Sequence, residues 1–269
     1  FYTDIGNKIN CIKIPKFYNL LVDKKSRTCG MILENPNDKK YKVNLNLTTE
    51  SIDVTLKIVE RMSKLHCQFW NADLGKIFPG LKGSCDAIFR PFFSDFIYER
   101  QDEFKRKWYP ILKPTQQALC DNILSDISNI QQRFSMGCNL TLIHGDIKSP
   151  NIFYDVENNY EPYFLDWQHC AIGKGVQDLI FFIIESFDIE NIISIYELTT
   201  RYYYMKLLEN GINDYNQEDY KRDLYDAICY VPFFTSVWFG TIPQDELIDK
   251  NFPYFFINKM LYLLEYVSK

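Results

Sequence analysis

The feature that most constrains the fold is the stretch of residues 140–168, in which two short apolar runs flank a polar turn. The runs are residues 152–154 (Ile-Phe-Tyr) and 163–165 (Tyr-Phe-Leu), and the turn between them is rich in Asn and Asp. Aromatic and β-branched residues on both sides of such a turn predict a short β-hairpin. This hairpin would hold Asn151 at the start of one strand and Asp166 at the end of its neighbour, so that the two side chains converge.

A third polar side chain, Asp146, lies on the loop beside this hairpin, five residues before Asn151. Phosphoryl transfer from ATP needs a carboxylate that accepts the proton of the attacking hydroxyl, and an amide oxygen and a second carboxylate that hold Mg²⁺ against the phosphates. Oxygen ligands suit Mg²⁺, so neither His nor Cys is required. We therefore predict Asp146 as the catalytic base and Asn151 with Asp166 as the magnesium ligands. The alternative is a surface loop that happens to contain two acids, which the combined spacing disfavours.

Residues 144–151 (His-Gly-Asp-Ile-Lys-Ser-Pro-Asn) resemble the catalytic loop of the kinase-like superfamily, whose protein-kinase form is H-R-D-L-x-x-x-N. With Gly145 in place of the Arg, the loop is similar to that of the small-molecule branch of this superfamily. This branch includes aminoglycoside phosphotransferases, choline kinases and the ecdysteroid kinase-like family. Residues 166–168 (Asp-Trp-Gln) stand where protein kinases carry D-F-G and are most similar to the ecdysteroid kinase-like group. The resemblance implies an α+β, bilobal protein-kinase-like fold, with a small β-containing N-lobe that is incomplete in this sequence and a large, mostly helical C-lobe.

The same resemblance divides the chain into two parts. Residues 31–35 (Met-Ile-Leu-Glu-Asn) resemble the hinge that meets the adenine of ATP through backbone groups, which implies that Glu34 and Asn35 bind the cofactor; a plain apolar strand before a turn is the alternative. Residues 1–37 would then be the remainder of the N-lobe with the hinge. Residues 38–269 would be the C-lobe, with the catalytic loop, the metal site and the substrate-binding helices.

Kinase-like enzymes also carry a Gly-rich strand turn and a nucleotide-binding Lys, and no such Gly-rich motif occurs in this sequence. Residues 1–2 (Phe-Tyr) resemble the segment that follows that Lys in the small-molecule families. We therefore expect both features upstream of Phe1, and a degenerate nucleotide site is the alternative. Intact Asp146, Asn151 and Asp166 favour the first interpretation.

Further residues take roles that the resemblance implies. Lys148 would steady the transferred phosphoryl group electrostatically, and His144 would support the catalytic loop by hydrogen bonding. Trp167 would pack under the metal site, and Asp178, within the pattern Gly-x-Gly-Val-x-Asp-Leu, would brace the catalytic loop. His66 lies in a segment similar to the Leu-His-Ala-x-Phe-Trp helix end of these families, and we expect a buried, hydrogen-bonded histidine rather than a second base.

Apolar periodicity predicts the helices of the larger lobe. Apolar residues at positions 52, 56, 59, 62, 65 and 69 predict a helix over residues 48–70, with Thr48 or Thr49 as its N-cap. A second stripe predicts a helix over residues 114–134, with Pro in the favoured first turn. Residues 189–267 carry at least three more amphipathic helices, with breaks near positions 211, 232 and 243.

Composition and charge exclude several function classes. The 269 residues suffice for one large domain or two lobes. A formal net charge of −5 gives no basic face for nucleic acid. No apolar run approaches the ~18 residues of a membrane span, and no secretory pattern is present, so we expect a cytoplasmic protein that does not enter a membrane. The eight cysteines form no C-x-x-C pair, which disfavours zinc and dithiol redox sites.

Three function classes remain. The first, which the resemblance favours, is an ATP-dependent phosphotransferase that transfers the γ-phosphate to a hydroxyl of a small molecule, with ATP and Mg as cofactors. The second is a protein Ser/Thr kinase, since Lys148 and Pro150 are shared with those enzymes, although Gln168 replaces the Gly of D-F-G and no A-P-E follows. The third is a catalytically impaired pseudokinase or an interaction module. The sequence leaves the oligomeric state open.

Residues 181–267 combine acids with aromatics, and we expect the substrate to bind there. Aromatic faces and carboxylates together hold alkylammonium groups, which the choline kinase resemblance favours. An apolar pocket for a steroid- or terpenoid-like alcohol is the alternative, which Asp-Trp-Gln favours slightly, and most of these aromatics would belong to the core in either case. The candidates are Glu185, Asp188, Glu190, Tyr202, Tyr203, Tyr204, Phe233, Phe234 and Trp238.

Overall fold

The computed structural model describes residues 1–35, 40–43, 47, 52–83, 86 and 91–269, except for the side chains of residues 91 and 92. Within these ranges the chain forms seven strands and nine α-helices. The strands are β1 (Phe17–Asp23), β2 (Thr28–Leu33), β3 (Tyr41–Val43), β4 (Thr141–Ile143), β5 (Ile152–Asp155), β6 (Glu161–Phe164) and β7 (Ala171–Gly173). The helices are α1 (Ile52–Gln68), α2 (Leu74–Ile77), α3 (Phe96–Trp108), α4 (Pro114–Ser135), α5 (Val176–Ser186), α6 (Ile192–Glu209), α7 (Gln217–Cys229), α8 (Val231–Thr241) and α9 (Phe252–Val267).

The strands form three small antiparallel sheets. β1 pairs with β2 as a hairpin, and β3, β5 and β6 form a second sheet in that order, with Ile152 opposite Phe164. β4 pairs with β7, with Ile143 opposite Ala171. The predicted hairpin over residues 152–165 is confirmed as β5 and β6. This pairing brings the catalytic loop before β5 to the end of β6.

The helices carry most of the core. Helix α1 packs against α6, α3 against α8, and α5 against α7. Every residue of α5 from Val176 to Ile184 is buried, so this helix is packed inside the helical core. The second predicted helix is confirmed as α4, which begins at Pro114, a position where the missing N–H would have no helical partner. Four helices, α6 to α9, follow α5, where at least three were predicted.

The described part of the first predicted helix is α1, which ends at Gln68 rather than at residue 70, and its buried face differs from the predicted stripe. Both candidate N-cap threonines lie outside the described residues. Ile52, expected in the apolar stripe, is exposed, whereas the polar side chains of Thr55, Ser63 and His66 are fully buried. Apolar spacing cannot reveal such a face, because it registers only the apolar side chains, and these three buried side chains are polar.

The architecture is the predicted α+β class, with small antiparallel sheets and a larger helical part toward the C-terminus. The N-terminal segment joins the main core through the buried side chains of Tyr2, Ile5 and Ile9. The expected boundary between residues 37 and 38 lies outside the described residues, so the division into two parts stays a prediction. No α-helix within the described ranges has both the length and the apolar character that crossing a membrane requires.

A buried ion pair ties the start of α5 to α7. The Nζ of Lys174 lies 2.6 Å from Oδ1 of Asp223, and both side chains are at most 8% exposed. The hydroxyl of Tyr215 donates a hydrogen bond of 2.8 Å to the other carboxylate oxygen. Because a buried charge needs a close partner, loss of the lysine would leave a poorly compensated carboxylate in the core.

We predict that Lys174→Met lowers the free energy of unfolding by about 3 kcal/mol, the scale for removing one partner of a buried pair. The matched control is Lys64→Met, which removes a lysine from the more exposed i,i+4 pair with Glu60 and should change this free energy by at most about 0.5 kcal/mol. Urea unfolding followed by circular dichroism measures both variants. Equal losses would contradict the assignment of the Lys174 pair as a structural tie.

Candidate active site

The predicted catalytic loop connects β4 to β5. Asp146 follows the buried strand β4 and is 7% exposed, and Asn151 ends a single turn of 3₁₀ helix that leads directly into β5. The Nδ2 of Asn151 donates to the backbone oxygen of Asp146 and to its Oδ2, both at 2.9 Å. The five-residue spacing therefore closes the loop on itself and brings the amide and the carboxylate together.

Lys148 contacts the same carboxylate. Its Nζ lies 3.1 Å from Oδ2 of Asp146, the oxygen that also accepts the hydrogen bond from Asn151. Among the described residues, both donors to this carboxylate therefore use Oδ2. The other oxygen, Oδ1, is the one left to accept a proton from a ligand.

Asp166 follows β6 beside this loop. The N–H of Leu165 donates to the backbone oxygen of Asn151 at 3.0 Å, which holds the two strand ends together. Asp166 has a φ of 59° and a ψ of 61°, in the left-handed region that non-glycine residues adopt only where the surrounding structure holds them. Its side chain is exposed, and the Nε2 of Gln168 lies 3.4 Å from Oδ2.

Trp167 fixes the backbone next to Asp166. The indole is 2% exposed, and its Nε1 donates to the backbone oxygen of Phe164 at 3.1 Å. The ring stacks on Phe1 with centroids 4.4 Å apart, and the ring of His144 lies at the same centroid distance. Packing on both neighbours restricts the rotation of Trp167 and so maintains the unusual conformation of Asp166.

The polar atoms here suit a hard divalent cation. Because the amide nitrogen of Asn151 is bonded to Asp146, its Oδ1 is the atom left for a ligand, and the exposed carboxylate of Asp166 supplies further oxygens. Mg²⁺ is usually held by one or two protein oxygens together with phosphates and waters. Within the described residues, no group of three or more His, Cys, Asp or Glu side chains is arranged to hold a metal ion.

Asp178, in the first turn of α5, lies under the catalytic loop. Its Oδ2 accepts the backbone N–H of His144 and its Oδ1 that of Gly145, both at 2.8 Å. Burial alone would raise the pKa of this carboxyl group, but the hydrogen bonds from His66 and from the loop hold the pKa below its usual value. The carboxylate therefore stays ionised and fixes two consecutive loop amides.

His66 connects Asp178 to helix α6. Its Nε2 donates to Oδ2 of Asp178 at 3.1 Å, and its Nδ1 accepts a hydrogen bond of 2.7 Å from the hydroxyl of Tyr203. All three side chains are at most 1% exposed. Both ring nitrogens of His66 are thus engaged within the protein, which is the arrangement of a supporting residue rather than a base.

His144 is held in its neutral form. Its Nε2 donates to the backbone oxygen of Leu165 at 2.7 Å, and its Nδ1 accepts the backbone N–H of Asp146 at 3.2 Å. Burial lowers the pKa of His144, so the ring carries no charge at neutral pH. The neutral ring links the first residue of the catalytic loop to the end of β6.

Sequence reasoning missed the supporting role of two side chains, of which one, Tyr203, was expected among the substrate-binding residues instead. Tyr203 holds His66, and the Oγ of Ser186 accepts the backbone N–H of Ser149 at 3.0 Å. Both are polar positions on helices that were recognised by their apolar residues. The only available signal was that each side chain carries a hydroxyl group, and this does not reveal which residue the hydroxyl group will contact.

Gly145 lies where a side chain does not fit. It has a φ of 85°, and an added Cβ would lie 2.8 Å from the carbonyl carbon of His169 and closer still to its oxygen. Glycine adopts positive φ readily and allows another backbone to approach closely. The close approach of residue 169 thus explains why Gly stands where protein kinases carry Arg.

The predicted nucleotide hinge lies at the end of β2. The N–H of Glu34 donates to the backbone oxygen of Lys16 at 2.8 Å, and its carboxylate accepts the N–H of Lys16 at 3.1 Å and the hydroxyl of Tyr163. The side chain and the backbone N–H of Glu34 are therefore used within the protein, and a nucleotide would have to meet its backbone oxygen or the backbone of Asn35. Asn35 is exposed and is the last described residue before position 40.

A cavity of about 320 Å³ opens beside Asp146, within the size range of small-molecule sites. Asp146 and Lys148 line it, together with Glu185 from α5. A larger cavity of about 640 Å³ lies between residues 1–8 and 77–82, but none of the predicted catalytic or metal-binding residues lines it, so we take the smaller one as the candidate acceptor cavity. The aromatic lining consists of Phe93, Phe181, Tyr230, Phe234, Trp238, Phe239 and Phe252.

The predicted substrate-binding residues divide into two groups. Glu185 lines the cavity, as do Phe234 and Trp238, which are four residues apart on α8. Phe181 was missed, although its helical spacing to Glu185 placed the two on one face of α5. Phe252 was missed as well, since nothing local distinguishes it from a core aromatic. The predicted residues that do not line the cavity are Asp188, Glu190, Tyr202, Tyr203, Tyr204 and Phe233.

A comparison with protein families identifies the chain. The profile of the ecdysteroid kinase-like family matches residues 5–213, well over half of the sequence. The chain belongs to this family. The matched segment contains the catalytic loop, Asp166 and Asp178, and it ends before α7, so the cavity walls from α8 and α9 lie outside the match. No match was found among curated protein sequences.

Solved structures of small-molecule kinases share the fold. The GDP complex of aminoglycoside 2'-phosphotransferase-IIIa has a TM-score of 0.60 and 12% identity, and the alignment covers 98% of this chain and 79% of that one. An ethanolamine kinase from Plasmodium vivax gives 0.54 and 15%, with 99% and 70% covered. Amicoumacin kinase hAmiN, in complex with AMP-PNP, Ca²⁺ and Ami, gives 0.56 and 8%, with 97% and 78% covered. These likenesses confirm the predicted kinase-like fold.

We predict that Gly145→Ala lowers the free energy of unfolding by about 2 kcal/mol more than Gly137→Ala does, the scale of steric overpacking. Both glycines have positive φ, 85° and 98°, so the backbone penalty is shared. Nothing lies within 4 Å of a Cβ at Gly137, whereas one at Gly145 meets the backbone of His169. Urea unfolding measures the difference, and equal losses would show that residue 169 moves aside without cost.

Proposed function

We propose that the chain is an ATP-dependent phosphotransferase that transfers the γ-phosphate of ATP to a hydroxyl group of a small molecule. The observation that carries this proposal is the position of Asp146, which lines an aromatic cavity while Asn151 and Lys148 contact one of its oxygens. Membership of a kinase-like family supports the reaction type. The cavity supports a small acceptor.

In the proposed reaction, Asp146 is the catalytic base. A hydroxyl group in the cavity approaches its Oδ1, and the carboxylate accepts the proton as the substrate oxygen attacks the γ-phosphorus in line. A new oxygen–phosphorus bond forms while the bond to the ADP oxygen breaks. Lys148 neutralises negative charge on the transferred group, for which it needs only to turn its Nζ away from Asp146.

Asn151 and Asp166 are the proposed ligands of Mg²⁺, which when bound neutralises the phosphate charge and orients the γ-phosphate. The donor set supports this role, since both residues offer oxygen atoms and lie at adjoining strand ends. Asp178 and His144 hold the loop that carries Asn151, and Trp167 holds the backbone of Asp166. These three are positioning residues.

We further propose that the adenine is met by the backbone at Glu34 and Asn35. The support is the location of these residues at the end of β2, with the Glu34 side chain bonded to Tyr163 of β6. Residues 1–37 would then form the hinge side of the nucleotide site, and residues 38–269 would carry the catalytic loop and the acceptor cavity.

The alternatives receive less support. A protein Ser/Thr kinase must admit an extended peptide to its base, whereas here α5, α8 and α9 contribute walls to a cavity beside Asp146. A pseudokinase would not need the arrangement of Asp146 with Asn151 and Lys148. An interaction module would not need it either. Incubating the chain with Mg-ATP and a library of small alcohols, and separately with a peptide array, tests all three classes.

We expect Asp146→Asn to lower kcat on the order of 10²–10⁴-fold, the scale for a positioned base. Affinity for ATP should change little, because Asp146 is not a proposed metal ligand. Steady-state ADP release with an accepted alcohol gives both quantities.

The control for this variant is Asp188→Asn, which removes an exposed acid just beyond the end of α5 and should keep wild-type kcat. Normal turnover by Asp146→Asn would show that the base assignment is wrong.

Asp166→Ala should abolish Mg²⁺-dependent binding of ATP and leave the fold intact, since its side chain is exposed. The thermal shift produced by Mg-ATP should vanish in this variant, while the unfolding temperature without ligand stays near that of the wild type. A shift of wild-type size in the variant would place the metal ion elsewhere.

A further inference from the structure

Glu185 lines the candidate acceptor cavity, and the proposed reaction gives it no task. It follows Phe181 by four residues and Asp178 by seven, so the three side chains share one face of α5. Among the described lining residues, Asp146 and Glu185 are the two acids. The cavity therefore presents a second carboxyl group besides the proposed base.

The Glu185 carboxyl group accepts no hydrogen bond from any described residue. Lys259 lies 3.4 Å from the backbone oxygen of Glu185, and its charge and that of Lys148 act on the carboxyl group through space. Burial raises the pKa of Glu185 despite these two cations, while Asp146 adds to the rise. A partly buried carboxyl group with charges nearby but no donor gains most from a hydrogen bond that a ligand supplies.

The charges around the cavity are already balanced. Asp146 is paired with Lys148 at 3.1 Å, and the charge of Lys259, whose Nζ contacts the backbone oxygen of Glu185, acts on the Glu185 carboxyl group through space. An ammonium group at Glu185 would lie near both lysines, and their repulsion would cancel much of its attraction to the carboxylate. Seven of the sixteen other described lining residues are Phe, Tyr or Trp. These conditions favour a ligand that offers Glu185 an uncharged hydrogen-bond donor and is otherwise apolar.

We propose that Glu185 is a specificity-determining residue that accepts a hydrogen bond from a second, uncharged hydroxyl group of the acceptor. The acceptor is then an alcohol with an apolar body against the aromatic wall, one hydroxyl group at Asp146 and another at Glu185. The inference rests on the proposed function, because it takes this cavity as the acceptor site.

The probes are three homologous series of primary alcohols, HO–(CH₂)n–X, in which X is methyl, hydroxyl or ammonium and n runs from about three to about ten, to span a cavity of this size. The series share a primary hydroxyl group at one end and differ at the other; the diol, whose two ends are equivalent, carries a statistical advantage that is divided out. Ligand-observed NMR measures binding of each probe to the full chain. ADP release in the presence of Mg-ATP gives kcat and KM separately.

At the best chain length, the diol should bind on the order of tenfold more tightly than the alkanol, the scale of one hydrogen bond to a buried carboxyl group. The gain should appear in KM and not in kcat, because Glu185 does not touch the reacting atoms. Glu185→Leu should reduce the measured diol preference to the statistical advantage of its two equivalent ends, while Glu185→Gln, which keeps one acceptor oxygen, should retain part of the remainder. The control Glu190→Leu, at an exposed acid beyond α5, should leave the preference unchanged.

Four outcomes would overturn the inference. They are equal binding of diol and alkanol once the statistical advantage is divided out, tighter binding of the amino alcohol, no binding by any series, and a diol preference above that advantage that persists in Glu185→Leu. Diol-selective binding that depends on Glu185 but leads to no phosphate transfer would refute the proposed function and leave the inference standing. The near-isosteric Gln variant keeps the test valid if Glu185→Leu fails to fold.

Discussion

The site depends on one buried carboxylate. Asp178 accepts two consecutive loop amides at 2.8 Å each, and His66 donates to it from another helix. A buried carboxylate without these donors would be costly and would become protonated, so the donors keep it ionised, and the ionised group in turn holds the amides. The catalytic loop is a short connection between two strands. Because the backbone of its first two residues is fixed, the position of the next residue, Asp146, is restricted as well.

The same helix that braces the loop also forms part of the acceptor cavity. Phe181 and Glu185 follow Asp178 on one face of α5, and the residues from Val176 to Ile184 are buried. A helix packed on all sides cannot shift alone without opening voids in a core of near-crystalline density. The distance between the proposed base and the far contact of the acceptor is therefore set by helical geometry. Substrate preference can change by substitution along this face without disturbing Asp178.

The sequence predicted the features that depend on local pattern. The hairpin of β5 and β6 followed from apolar runs around a turn, and with it the placement of Asn151 and Asp166 at adjoining strand ends. The hydrogen bond from Asn151 to Asp146 was not predicted. Features that depend on how distant helices pack against one another could not be predicted from the sequence. Phe234 lines the cavity and the adjacent Phe233 packs against Phe104 in the core, yet both are buried aromatics on α8. Which of two such neighbours meets a ligand is decided by helices that contact α8 from distant parts of the chain.

The segment after Asp166 contributes one part of the lining of the candidate acceptor cavity. β7 pairs with β4 so that Ala171 lies opposite Ile143, and residues 167–170 alone connect Asp166 to this strand. The short connection forces His169 against the catalytic loop, where only Gly145 allows the approach. It also places residues 168–171 in the cavity lining next to Asp146. Backbone that a two-strand pairing holds in place therefore forms this part of the cavity lining.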